Sequence, residues 1–348
     1  MKMMRKRSLL YLVVSVWMII SACTSARDGV VTFQHDTEND KINVIVNDRY
    51  FTSLIYSDTL EKPSLYPIKM PSGKFITRGY PLEPRPFERT DHPHHVGLWF
   101  NFGDVNGIDF WNNSSAIPPE RKTDYGSVRL DTILQSDAAK GALKIRCSWV
   151  NSRGERLLSE EATYLFSGIK NRYRFIERET RLTAIQKITL RSNKEGLIAL
   201  RVDGSFEAPD STAVKRVDAD GKVTDVPFVH NDANGRYRNQ QGATGEEEVW
   251  GRRTPWVALR ADKAGETITI VVLDHVQNPN YPGWPHARGY GLFSMNNLAG
   301  KAMNEASEPI QINLSPGESI SFKHKVIIGG DMSDADINHM MQQFNQPK

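Results

Sequence analysis

Four stretches of the chain, KINVIVN, ALKIRCSWV, ETITIVVLDH and SISFKHKVII, place apolar side chains at every second position. Ile42, Val44 and Val46 do so in the first, and Leu143, Ile145, Cys147 and Trp149 in the second. A period of two belongs to a strand with one face in a core and the other in solvent, and no helix can satisfy it. Between such runs lie turn-forming residues at Asn151 to Gly154, Asp220-Gly221, Asn234-Gly235 and Ser315-Pro316-Gly317, which predict tight connections. Only the C-terminal SDADINHMMQQFN reads as a helix. Ser333 is its predicted cap with Asp336 three residues on, and Ile337, Met340, Met341 and Phe344 share one face. The pattern predicts an all-β protein: a large antiparallel β-sandwich that occupies 31–348 as a single domain and ends in a short helix.

The N-terminus is of a different kind. Lys2, Arg5, Lys6 and Arg7 precede the apolar run SLLYLVVSVWMII, which is short for a membrane span and ends at small residues, as a signal peptide does. Ile20-Ser21-Ala22-Cys23 is a bacterial lipobox. It predicts cleavage after residue 22, a lipid on Cys23, a tether over 23–30 and an exported protein held in the cell envelope, on the periplasmic side of the outer membrane. Loss of the four basic residues of the leader takes the formal charge from +3 to −1, so nothing favours nucleic acid as a partner. The other cysteine, Cys147, has no partner, and the fold must rest on its core without a disulfide.

Five of the nine histidines fall in two segments. The first is RTDHPHHVGLWFN. Pro93 removes a backbone donor and marks a strand entry. In a strand His92 and His94 would share a side and His95 would face the other, so all three would not serve one centre. Arg89 and Asp91 alternate with them. Imidazole either binds a metal or moves a proton near neutral pH. The spacing fits no standard zinc motif, and the same residues could instead hold a loop in shape. The adjoining GLWFNFGDVNGIDFWNNSS interleaves aromatics with amides and carboxylates. Trp99 and Phe110 are expected in the core, and Trp111 and Asn112 nearer a ligand. The second histidine segment is DHVQNPNYPGWPHARGYG, with Asp274, His275, Trp284, His286 and Arg288 on a proline-stiffened loop. Two further groups are Glu195 in SNKEGLIALRV, a base if buried beside a histidine, and Arg252 and Arg253 after the acidic run Glu246 to Glu248, of which Glu246 and Glu247 are expected to be solvated.

These blocks, with VWGRRTPWV, resemble from about Arg78 to about Gly330 a bacterial family of unknown function that often carries the label methane oxygenase PmoA. Val276 and Pro285 stand where that family reads Asp-His-Pro and Trp-His. The label conflicts with the residues: the membrane oxygenase subunit crosses the bilayer several times, and this chain has one apolar segment, in its leader. The ending INLSPGESISFKHKVIIGGD is similar to the closing strands of galactose-mutarotase-like supersandwiches. That resemblance implies sugar chemistry with a histidine acid and a carboxylate base.

The expected function is therefore proton transfer on a carbohydrate or polyol, as in a mutarotase, lyase or hydrolase. His94 or His275 would be the acid, Glu195 or Asp274 the base, and His286 a further catalytic group. Arg89, His95, Trp111, Asn112, Arg252, Trp284 and Arg288 would bind substrate. Two alternatives stand beside it. One is a divalent metal held by His92, His94, His275 and His286. The other is a glycan-binding lipoprotein with Trp111 and Trp284 as platforms.

Overall fold

The computed structural model describes residues 29–170 and 172–347. The expected leader, Cys23 and most of the expected tether lie outside the described residues. The strands are β1 (Val31–Asp36), β2 (Lys41–Val46), β3 (Arg49–Ile55), β4 (Ser64–Leu65), β5 (Leu98–Phe102), β6 (Gly126–Asp137), β7 (Ala142–Asn151), β8 (Arg156–Ile169) and β9 (Tyr173–Ala184). They continue as β10 (Ile188–Arg191), β11 (Gly196–Arg201), β12 (Arg236–Asn239), β13 (Trp256–Lys263), β14 (Glu266–Asp274), β15 (Trp284–Arg288), β16 (Leu292–Asn296), β17 (Gln311–Leu314) and β18 (Ser319–Gly329). Two eight-stranded antiparallel sheets form, in the orders β1-β2-β3-β4-β5-β11-β16-β15 and β12-β13-β14-β18-β9-β8-β7-β6, and β10 pairs with β17. This is the all-β sandwich that the alternation predicts. The quoted runs are β2, β7, β14 and β18, and the inward residues of β2 and β7 are all buried.

Side chains of both sheets meet in one core. Leu98, Phe100, Ile198, Leu200, Phe293 and Ala287 of the first sheet join Ile145, Trp149, Leu158, Ile176, Val326 and Ile328 of the second. Neighbouring positions on a strand point to opposite faces. The alternate residues of β5, β11, β16 and β15 therefore lie on the outer face of the first sheet. There Trp99 pairs with Ala199, Ala199 with Ser294, and Ser294 with His286.

The C-terminal helix, α1 (Asp334–Phe344), opens with the capping box of Ser333 and Asp336. It lays Ile337 and Phe344 against Phe175, Trp256, Val271, Leu273 and Ile327 on the outer side of the second sheet. Among the described residues no helix is long and apolar enough to cross a membrane, and Cys147 is a buried free thiol.

One predicted turn is not a turn. Asn234-Gly235 runs extended into β12, and Gly235 is needed because a Cβ there would meet the Phe206 carbonyl oxygen at 2.0 Å. Ser315-Pro316-Gly317 does turn, between β17 and β18, with Gly317 at φ 88°.

Candidate functional site

The segment Asp91 to Val96 is a loop and not a strand, which corrects the expected geometry of its histidines. His92 has φ 43°, and the His95 N–H donates to the His92 carbonyl 3.0 Å away. This turn folds all three rings together. His92 stacks on His95 at 4.9 Å, and His94 meets His95 edge-on at 4.3 Å and His92 at 5.7 Å. A left-handed backbone at a non-glycine residue costs about 1–3 kcal/mol and persists only where its surroundings enforce it. Arg78 does so here. Its buried guanidinium donates to the carbonyls of Arg89, Asp91, His92 and His95 at 2.9–3.4 Å and to Asp91 Oδ1 at 2.6 Å. Gly97 then lets the chain enter β5 at φ 60°, where a Cβ would lie 2.2 Å from the Leu65 carbonyl oxygen.

Behind the loop, Arg201 donates to the same Asp91 Oδ1 at 2.5 Å, its Nη1 lies 3.3 Å from His95 Nδ1, and it stands over Tyr290 at 4.9 Å. Tyr290 in turn stacks on His92 at 4.8 Å. Burial alone would raise the Asp91 carboxyl. Arg201, the bond to His92 and Arg78 outweigh it and hold Asp91 well below the usual carboxylate range. Asp91 Oδ2 stands 3.3 Å from His92 Nδ1.

Glu195 and His286 complete the cluster. Asn296 at the end of β16 ties the carbonyls of Asn193 and Lys194 at 2.8 and 3.1 Å and so fixes the turn before β11. Lys194 is exposed and sets its Nζ 3.6 Å from Glu195 Oε1, while Glu195 is largely covered and places Oε2 3.7 Å from His286 Nδ1. Burial raises the Glu195 carboxyl and lowers His286 to about 3, so His286 is a neutral imidazole at pH 7. Burial, with Lys62 and His92 adding to it, lowers His94 to about 2. Several polar atoms here have no partner: His94 Nε2, His286 Nδ1, and the indole N–H groups of Trp99, Trp111 and Trp250. Buried polar groups are normally bonded, so such a concentration marks a place prepared for a ligand.

The remaining expected residues are distributed as follows. His275 lies apart from His92, His94 and His286: its ring meets Phe344 of α1 at 5.0 Å, and Lys323 is a charged neighbour. Asp274 turns away from the cluster as well, and is bonded to Asn278, Asn297 and the Gly283 N–H, with His324 at 3.5 Å. Neither the proposed acid His275 nor the proposed base Asp274 can act with Glu195. The four-histidine metal centre fails for the same reason. Among the described residues no three histidine, cysteine, aspartate or glutamate side chains are disposed to hold a metal ion.

Trp111 and Trp284 are buried and cannot serve as open platforms. Trp111 packs on Trp99 and His95, and Trp284 lies beneath the Arg253 guanidinium. Asn112 spends its amide on Asp109 at 2.7 Å. Arg89 is committed to Glu207 and Asp210 at 2.7 and 2.9 Å. His95 is a buried link between Arg201 and Trp99. Arg252 is exposed. Arg288 pairs with Glu246 at 3.0 Å, so Glu246 is not the freely solvated group expected of its acidic run. Arg78, Arg201, Tyr290 and Lys62 were not singled out from sequence. An arginine inside the apolar run LIALR was the available signal for Arg201.

The chain belongs to the Family of unknown function (DUF6807), which matches residues 41–342. That description carries no oxygenase label. No curated protein matches the chain. Among solved structures, a GH36 alpha-galactosidase from Geobacillus stearothermophilus is similar over 87% of this chain and 41% of its own, at 11% identity and a TM-score of 0.29. A heparan sulfate lyase mutant from Pedobacter heparinus is similar over 89% and 36%, at 8% identity and 0.30. The galactose mutarotase related enzyme of Lactobacillus acidophilus is similar over 87% and 100%, at 8% identity and 0.29. The chain thus spans about two-fifths of the galactosidase and a third of the lyase. At these TM-scores the likenesses carry no argument about this chain.

Proposed function

We propose that this member of the family is an exported lipoprotein that acts on a carbohydrate or polyol by proton transfer, on the outer face of its first sheet. The observation that carries the reading is the Glu195–His286 approach of 3.7 Å beside polar groups that lack partners. Glu195, a stronger base than an ordinary glutamate because of its burial, takes the proton. His92, backed by the ionised Asp91 and the most open of the three loop histidines, returns one. His94 and His286 stay neutral and bond the substrate's hydroxyl groups. The acid thus moves from His94 to His92, and Glu195 remains the base.

The test is incubation with a panel of aldoses, uronates and oligosaccharides in D2O, followed by NMR. New products, or deuterium incorporated at carbon, support the proposal. Saturable binding with neither change across the panel would make the protein a glycan binder and sink the enzymatic reading. Envelope anchoring rests on Ile20 to Cys23. Labelling with a radioactive fatty acid that persists in Cys23→Ser would remove it.

A further inference from the structure

We propose that the substrate is an anionic sugar whose carboxylate lodges in a small hollow between Lys62 and His94, an inference that rests on the proton-transfer reading of the adjoining cluster. The hollow has a volume of about 80 Å³ and is lined by Lys62, His94, Asn113 and Ser114 among others.

Lys62 is the unusual element of its wall. It is 5% exposed. Its ammonium has three N–H groups, yet a single hydrogen-bond acceptor is found for it among the described residues, the Trp111 carbonyl at 2.9 Å. It also stands 5.5 Å from the centre of the Trp99 ring. Burial lowers Lys62 to about 7, against the opposing pull of Asp109 and Glu61. Glu61, the acidic side chain of the same wall, is already held by Lys122 and Arg129 at 3.2 and 3.0 Å and by Ser127. Asp109 is occupied in capping the backbone N–H groups of Trp111 and Asn112. Neither carboxylate forms an ion pair with Lys62.

The same imbalance continues behind the histidines. Two guanidiniums, Arg78 and Arg201, share the single oxygen Asp91 Oδ1, and the Nε of each has no partner. A buried cation in such surplus is costly unless an anion arrives to meet it. The hollow and the catalytic cluster share His94, so a carboxylate against Lys62 sets the rest of the sugar beside His92 and Glu195.

Calorimetric titration of the whole protein with D-galacturonate and D-glucuronate, against galactose, glucose and the methyl esters of both acids, tests the proposal. A charge-assisted hydrogen bond contributes about 1.5–3 kcal/mol, so the acids should bind roughly 10- to 100-fold more tightly than their esters. Lys62→Met should bring acid and ester to equal affinity. The wild-type comparison stands alone if that variant does not fold. Equal affinity of wild type for acid and ester would overturn the anionic specificity and leave the proton-transfer site standing. No binding of any sugar would overturn both.

Discussion

Two clusters in this molecule are built from the same kinds of side chain. One gathers His92, His94, Glu195 and His286 on the outer face of the first sheet. The other gathers Asp274, Asn278, Asn297 and His324 where β14 leaves the second sheet. In the second, every part is used. Asp274 Oδ1 accepts from Asn278 at 2.6 Å, Oδ2 accepts from Asn297 and the Gly283 N–H at 2.9 and 2.7 Å, and Asn297 Oδ1 lies 3.0 Å from His324 Nε2. None of these four has an unpartnered buried polar atom, whereas His94 and His286 of the first cluster do. Residue type and burial do not separate a site from a brace; hydrogen-bond satisfaction does. The second cluster has a clear mechanical use. It clamps the crossover from β14 to β15 and so fixes the strand that carries His286 three residues beyond Gly283.

The contrast can be broken by substitution. Glu195→Gln should lower turnover by about 10²- to 10⁴-fold, the usual worth of a general base, while calorimetry shows the melting temperature nearly unchanged. A collapse of the fold instead would place Glu195 with the braces. Asp274→Ala should do the reverse. It strands the donors of Gly283, Asn278 and Asn297, and denaturant titration should show a loss of about 3–5 kcal/mol, with activity per folded molecule largely kept.

Acid sharpens the comparison further. His286 and His324 are held near 3 and His94 near 2 by burial, below the ordinary value of 6.5. The unfolded chain therefore takes up protons first, and stability present above pH 6.5 is lost as the pH falls. Asp274, raised to about 6 by burial, works the other way between about pH 6 and 4. These four groups together give a loss of roughly 3 kcal/mol between pH 7 and 5.5, and His95, which burial also holds well below its ordinary value, adds to it. His94→Gln with His286→Gln should remove about half of the histidine slope and leave the shares of His324 and His95. The smallest effect is the most telling. His94→Gln at pH 7 should change stability by about 0.5 kcal/mol or less, because His94 Nε2 has no bond to lose. A large loss would mean that His94 is a brace.

The architecture was legible because alternation is a local signal, as in β2 and β7, and the helix was announced by Ser333 and Asp336. The site was legible only in part. His94, Glu195 and His286 were marked by residue type, yet a period of two sent His95 to the wrong face, since nothing local states that His92 takes a left-handed backbone held by an arginine 14 residues earlier. Asp274 and His275 looked catalytic because they adjoin His286 in sequence. They separate in space because a crossover between sheets lies between them. Lys62 and Arg201 reach the site through long-range pairing that no short motif contains.

Arg78 has a consequence for how a ligand arrives. With three carbonyls of the histidine loop, and that of Arg89 just before it, already tied to one buried guanidinium, the loop has little freedom left to surrender. Association should therefore be a single step: in stopped-flow fluorescence of Trp99 and Trp111, the observed rate should rise linearly with sugar concentration, with no slow closing phase behind it.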